Sequence, residues 1–198
     1  MDVQAARLFD SLRDEAITLH VGWKLYRRLY AGSSEDVVLL NKSGSSIFRM
    51  LQFLLFDDCL LRLCRLTDPA SSGPYKYRSI RQLVSALRDV DASIFECDLG
   101  VAVRELEAAC SEIRTLRNAR IAHSDLEHSL EISASPLPGI SIKDVDHALR
   151  LLSKLLNHIE VPMRRSRTYY GDILVPVDAD SERLLSLLRS AHGQHTGA

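Results

Sequence analysis

Phe9, Leu12, Ala16, Leu19, Trp23, Tyr26 and Tyr30 recur at alternating steps of three and four. That spacing gathers all of them on one face of an α-helix and would scatter them over both faces of a strand. It predicts a first helix ending near Gly32. Ser33 or Ser34 can cap a second helix, with Glu35 and Asp36 in its first turn at the positive end of the helix dipole. Val37, Leu40, Gly44, Phe48, Leu51, Leu55, Cys59, Arg62 and Leu66 carry the pattern onward. The stripe runs straight through Ser43-Gly44-Ser45-Ser46, so these small residues are expected at a close helix crossing rather than at a break.

Pro69 ends that helix, and Ser71-Ser72-Gly73-Pro74 reads as a turn-rich loop. A shorter helix is expected over Ser79 to Val90 and another from about Leu99 to Ser124, with Val103, Leu106, Cys110, Ile113 and Leu116 along it. Ser135 to Gly139 is a loop. Ser141 and Asp144 have the form of a capping box opening a helix from Ile142 to Glu160. Arg164 to Val177 reads as irregular, and Ser181 to Ser190 as a last helix. The class is all-α: an antiparallel bundle of long helices with additional short ones, in one domain over residues 1–190 and a disordered tail over 191–198.

A chain of 198 residues that is 46 % hydrophobic can fill one core and is not globally disordered. The net charge of −1 supplies no overall positive field, so any contact with nucleic acid must come from a local basic patch. Met1 to Arg7 lack the layout of a secretory leader. The most apolar run, Ile47 to Leu66, holds Arg49, Asp57, Asp58, Arg62 and Arg65, too many charges for a membrane span. Cys59, Cys64, Cys97 and Cys110 have no metal-ligand spacing and read as reduced core thiols of a cytoplasmic protein. There is no glycine-rich phosphate loop, and no metal or cofactor is expected.

Chemistry concentrates in Leu116-Arg117-Asn118-Ala119-Arg120-Ile121-Ala122-His123-Ser124-Asp125. Arg117 is a permanent cation able to grip a phosphate, and His123 can give or take a proton near neutral pH. On a regular α-helix, residues six apart stand ~9 Å apart along the axis and ~120° apart around it. Arg117 and His123 of one chain therefore do not project side by side, and a twofold partner is needed to bring one chain's arginine towards the other's histidine. The alternative is a polar network that fixes helix packing. Arg114, Arg117 and Arg120 recur every three positions; they can line a basic groove or pair with acids such as Glu107 or Glu112. Asp58 can pair with Arg62 one turn on, or Asp58 or Asp68 can orient Arg117 or Arg120 from behind. Arg164 to Tyr170 mixes basic and aromatic residues, a combination that can hold single-stranded RNA and also occurs on ordinary loops.

Several segments, taken in order, resemble the HEPN superfamily and its abortive-infection U-type (AbiU-like) branch. They are Trp23-Lys24-Leu25-Tyr26, Arg65-Leu66-Thr67-Asp68-Pro69, Leu116-Arg117-Asn118 with Ile121-Ala122-His123-Ser124-Asp125, and a late Leu184-Leu185. Ala119 departs from the pattern, standing where related sequences often carry lysine. The resemblance implies a homodimer and a metal-independent endoribonuclease in phage defence or a toxin-like system. RNA would be the substrate, and a separate antitoxin or other protein a partner. Arg117 and His123 would be the catalytic pair with Asn118 as a polar supporter, Arg120 and Arg114 would contact RNA, and Asp68 and Asp125 would orient them. The alternative is a catalytically silent helical module that binds a protein, nucleotide or nucleic acid.

Overall fold

The computed structural model describes residues 3–88, 98–122, 137, 139–175 and 180–194. These residues form α1 (Val3–Tyr30), α2 (Ser34–Leu66), a two-stranded hairpin of β1 (Ser71–Ser72) and β2 (Tyr75–Lys76), α3 (Ile80–Arg88), α4 (Asp98–Ala109) and α5 (Ser111–Leu116). A π-helical segment (Arg117–Ala122), α6 (Ile142–Arg164), a 3-10 turn (Tyr170–Asp172) and α7 (Ser181–Gln194) follow. The class is the expected all-α one. The helices divide between two compact units, one made of residues 1–18 and 60–170, the other of residues 19–59 and 171–198.

In the first unit the apolar stripe of early α1 is buried as its spacing requires: Phe9, Leu12 and Ala16 are closed to solvent. They share the core with Leu60 and Leu63 of α2, and α4 packs on α6. The antiparallel hairpin pairs Ser71 with Lys76 and Ser72 with Tyr75, where only a loop was expected. Gly73 occupies the first central position of its two-residue turn at φ 56°, a conformation that favours glycine.

Helix α6 opens on the expected box: the Asp144 N–H donates to Ser141 Oγ at 3.3 Å, and the Ser141 N–H donates to Asp144 Oδ2 at 2.8 Å. It runs one turn past Glu160, through Pro162, and stops where Arg165 turns left-handed at φ 54°. The next segment folds back on the helix. The Thr168 N–H donates to Asn157 Oδ1 at 2.9 Å and to the buried Glu160 Oε2 at 3.0 Å. Arg164 is likewise drawn inward, 2.6 Å from Asp10 and stacked over the Phe9 ring. The basic-aromatic stretch is therefore largely a strap on α6.

In the second unit Trp23 stacks on Tyr26 with ring centres 5.1 Å apart, and Phe56 packs against both. Leu29, Leu40 and Leu185 form a small core that ties α7 to α1 and α2. The Asp36 N–H donates to Ser33 Oγ, so Ser33 is the cap of α2. Buried Asp36 also binds Arg28 and Arg189, and Arg28 reaches Glu182. The Arg28 guanidinium holds the Asp36 carboxyl below the usual carboxylate range, against the opposing effect of burial.

The stretch Ser43 to Ser46 is not the uninterrupted helix expected. Gly44 is non-helical (φ 162°, ψ 71°), and α2 kinks at it. Among the described residues a Cβ at Gly44 would meet nothing nearer than the Phe48 ring at 3.9 Å, so Gly44 itself is not required by a close approach. The last helix meets the stretch one residue earlier, with Ser43 Oγ 2.9 Å from His192 Nε2. Glycine and serine are poor helix formers, and adjacent Gly/Ser residues are a known cause of kinks. Ser43 Oγ donates to Leu39 O at 2.8 Å, one of the local bonds that compete with the helix ladder. The last helix runs to Gln194, four residues beyond Ser190, and residues 195–198 lie outside the described set.

Candidate active site

The chemistry-bearing segment sits on an interrupted helix. The continuous helix expected from about Leu99 to Ser124 breaks at Cys110, whose backbone (φ −93°, ψ 0°) separates α4 from α5. The Cys110 N–H is shared between Leu106 O and Glu107 O, the bifurcation common at helix ends. From Arg117 to Ala122 the winding is π-helical, so the α-helical spacing used to separate Arg117 from His123 does not apply there. Single π-helical turns are rare and frequent at functional sites.

Helix α2 ends at Leu66 because Pro69 cannot continue the ladder; the Thr67 N–H turns back to Leu63 O and Cys64 O, and the Asp68 N–H to Arg65 O. Arg114, arriving from α5, adds a guanidinium to this end. Its Nη2 donates to Thr67 O at 2.9 Å, to Thr67 Oγ1 at 2.8 Å and to Cys64 O at 3.3 Å. Its Nη1 donates to Asp68 Oδ1 at 2.5 Å. A guanidinium at a helix C-terminus is also favoured by the dipole. Thr67 is buried and returns its own hydroxyl proton to Leu63 O and Cys64 O. Arg114 is thus occupied by protein acceptors, an unpromising state for the RNA contact expected of it.

Arg117 reaches the same carboxylate oxygen, with Nη2 3.5 Å from Asp68 Oδ1. Its side chain is 19 % exposed. Its buried Nε meets no hydrogen-bond partner among the described residues. The guanidinium faces the Cys64 thiol; burial pushes that thiol up, and Arg117 acts in the opposite direction. Burial pushes the nearby Cys110 thiol up to about 12, helped by Cys64. Both cysteines are closed to solvent and are structural at neutral pH.

The other expected site residues divide plainly. Of Asp58 and Asp68, the two acids that could stand behind Arg117 or Arg120, Asp68 is the one 3.5 Å from Arg117. Asn118 and Arg120 are exposed on the π-helical segment. His123 and Asp125 lie outside the described residues. Glu107, one of the acids weighed as a partner for these arginines, binds Arg81, with Arg81 Nη2 2.6 Å from Oε2. Arg62 lies 2.8 Å from Glu15. Sequence reasoning missed the Arg114–Thr67 bonds. The only signal for them was a threonine at the helix end, four residues after Leu63 and three before Ala70.

Among the described residues no helix is long and apolar enough to cross a membrane, and no group of three or more His, Cys, Asp or Glu side chains is placed to hold a metal ion. No curated protein and no solved structure matches the chain. The family model HEPN_AbiU2, described as AbiU2, matches residues 2–184. With nearly its whole length matched and its fold all-α, the chain belongs to the AbiU2 family of HEPN proteins.

Proposed function

We propose that the protein is a metal-independent endoribonuclease that acts as a cytoplasmic homodimer in phage defence or a toxin-like system, with a separate antitoxin or other protein as its regulator. The observation that carries this reading is Arg117, a cation braced by Asp68 at the first position of a π-helical segment, six residues ahead of His123 in a chain of this family. In the reaction the ribose 2′-oxygen attacks phosphorus and the bond from phosphorus to the 5′-oxygen breaks. The product ends in a 2′,3′-cyclic phosphate. His123 takes the 2′-hydroxyl proton or delivers one to the leaving 5′-oxygen, and Arg117 stabilises the added charge on the phosphoryl oxygens. Asn118 supports the pair and Arg120 contacts the RNA; both are exposed, which suits those roles.

The test is cleavage of a mixed RNA pool in EDTA by the wild-type chain beside Arg117→Ala and His123→Ala. Loss in both variants, with cyclic phosphate ends from wild type, supports the reading. Cleavage that survives in both overturns it. One observation favours a second reading, a silent module that binds a protein, nucleotide or nucleic acid: four-fifths of the Arg117 side chain is withdrawn from solvent and turned towards Asp68 and Cys64. On that reading wild type cleaves nothing, and Arg117→Ala lowers stability instead.

A further inference from the structure

Two guanidinium groups share one carboxylate oxygen at the end of α2, and they share it unequally. Arg114 lies 2.5 Å from Asp68 Oδ1 and Arg117 lies 3.5 Å from it. Arg114 also grips the residues that lead into Asp68, through Cys64 O, Thr67 O and Thr67 Oγ1. Its two terminal nitrogens therefore fix both the position of the carboxylate and the direction of its lone pairs. Arg117 receives only the long remaining contact, on Nη2. Its Nε is closed to solvent and takes no part, so the capacity left for an incoming oxyanion is that of the terminal nitrogens. If Arg114 were absent, Asp68 would be free to turn and take Arg117 in the bidentate grip that arginine and carboxylate prefer.

We infer that Arg114 is a positioning residue: by capping α2 and engaging Asp68, it holds Arg117 in place for a phosphate while preventing Asp68 from capturing it. This rests on the ribonuclease reading above and gives Arg114 a role other than touching RNA. The geometry requires a fork. A lysine carries the charge but offers one ammonium, which cannot span Asp68 and both Thr67 acceptors together. Asp68 alone would fasten Arg117; Asp68 with Arg114 leaves it poised.

The experiment compares full-length wild type with Arg114→Ala, Arg114→Lys and the milder Thr67→Val, which removes the Oγ1 acceptor together with the hydroxyl's own bonds to Leu63 O and Cys64 O. It measures kcat and KM for RNA cleavage, and the Arg117 Nε–H resonance assigned by its loss in Arg117→Ala. The expected result is a fall in kcat of about 10- to 100-fold in both Arg114 variants, with KM within about threefold of wild type. Thr67→Val should show a smaller fall in the same direction, and the Nε–H resonance should shift in all three. Rescue by Arg114→Lys, or a rise in KM at unchanged kcat, would overturn the inference, because either marks Arg114 as a simple charge for RNA. If wild type cleaves no RNA, or if Arg117→Ala cleaves as well as wild type, the ribonuclease reading fails instead. The resonance still decides the geometry in that case: an unmoved Nε–H in Arg114→Ala overturns the positioning role, and a shifted one supports it.

Discussion

Asp68 contacts Arg117 across forty-nine residues of sequence, Oδ1 to Nη2, at 3.5 Å. The contact joins the turn after α2 to the first residue of the π-helical segment, and it makes the carboxylate the common support of both arginines. Replacing Asp68 by Asn keeps the shape and one acceptor but removes the charge that offsets two cations. We expect Asp68→Asn to lower stability by about 1–3 kcal/mol, the scale of a charge-assisted hydrogen bond. Urea unfolding at pH 7 measures it, and a midpoint equal to that of wild type would refute the supporting role.

Asp36 is the most consequential acid of the other unit, because its buried carboxylate faces Arg28 and Arg189 and caps nothing that water could replace. Asp36→Asn should cost about 2–3 kcal/mol. This is less than a fully buried pair would lose, since both arginines retain access to water. Arg189→Ala, which leaves Arg28 in place, should cost under half as much. Thermal melts of the two variants provide the comparison, and an equal loss in both would contradict the assignment of Asp36 as the hub.

Burial pulls the His20 imidazole down to about 4 from its ordinary 6.5. The folded chain therefore binds this proton less readily than the unfolded one, and stability must fall as pH drops from about 6.5 to about 4. The full shift corresponds to about 3 kcal/mol, all of it retained above pH 7. A His20→Gln variant should show a flatter dependence of unfolding free energy on pH through that window. Parallel curves for variant and wild type would remove His20 as the cause.

Arg164 lies 2.6 Å from Asp10 and stacks on Phe9, so its removal should be felt in folding before it is felt by RNA. Arg164→Ala is expected to lower stability by about 1 kcal/mol. The salt dependence of RNA binding should be left unchanged. A reduced salt slope in filter binding would return Arg164 to the nucleic-acid surface.

Much of this was legible in the residues and part of it was not, for a physical reason in each case. The stripe from Phe9 to Trp23, the Ser33 cap, the Ser141–Asp144 box and the stop at Pro69 depend on neighbours within four positions, which is the range a sequence pattern records. The break at Cys110 left the pattern intact, because Leu106, Cys110 and Ile113 keep helical spacing whether or not the backbone bends between them. At Gly44 the same periodicity hid a kink that glycine's low helix propensity permits. The three-residue spacing of Arg114, Arg117 and Arg120 offers a basic groove or pairing with acids of the same expected helix, such as Glu107 and Glu112. The actual partners of Arg114, Thr67 and Asp68, lie more than forty residues upstream, and only tertiary folding brings them within reach. Asp68 was only half legible, since an acid before a helix-ending proline reads first as a turn residue and Asp58 was an equal candidate to stand behind the arginines.

A π-helical segment accommodates an additional residue within a helix without altering the elements on either side of it. Across Arg117–Ala122, then, the wide winding holds slack that a regular α-helix lacks. A single-residue deletion at exposed Asn118 should be absorbed by a return to α-helical winding, whereas the same deletion within α5 would rotate the residues after it by about 100°. The fold should therefore survive the first deletion and lose stability in the second.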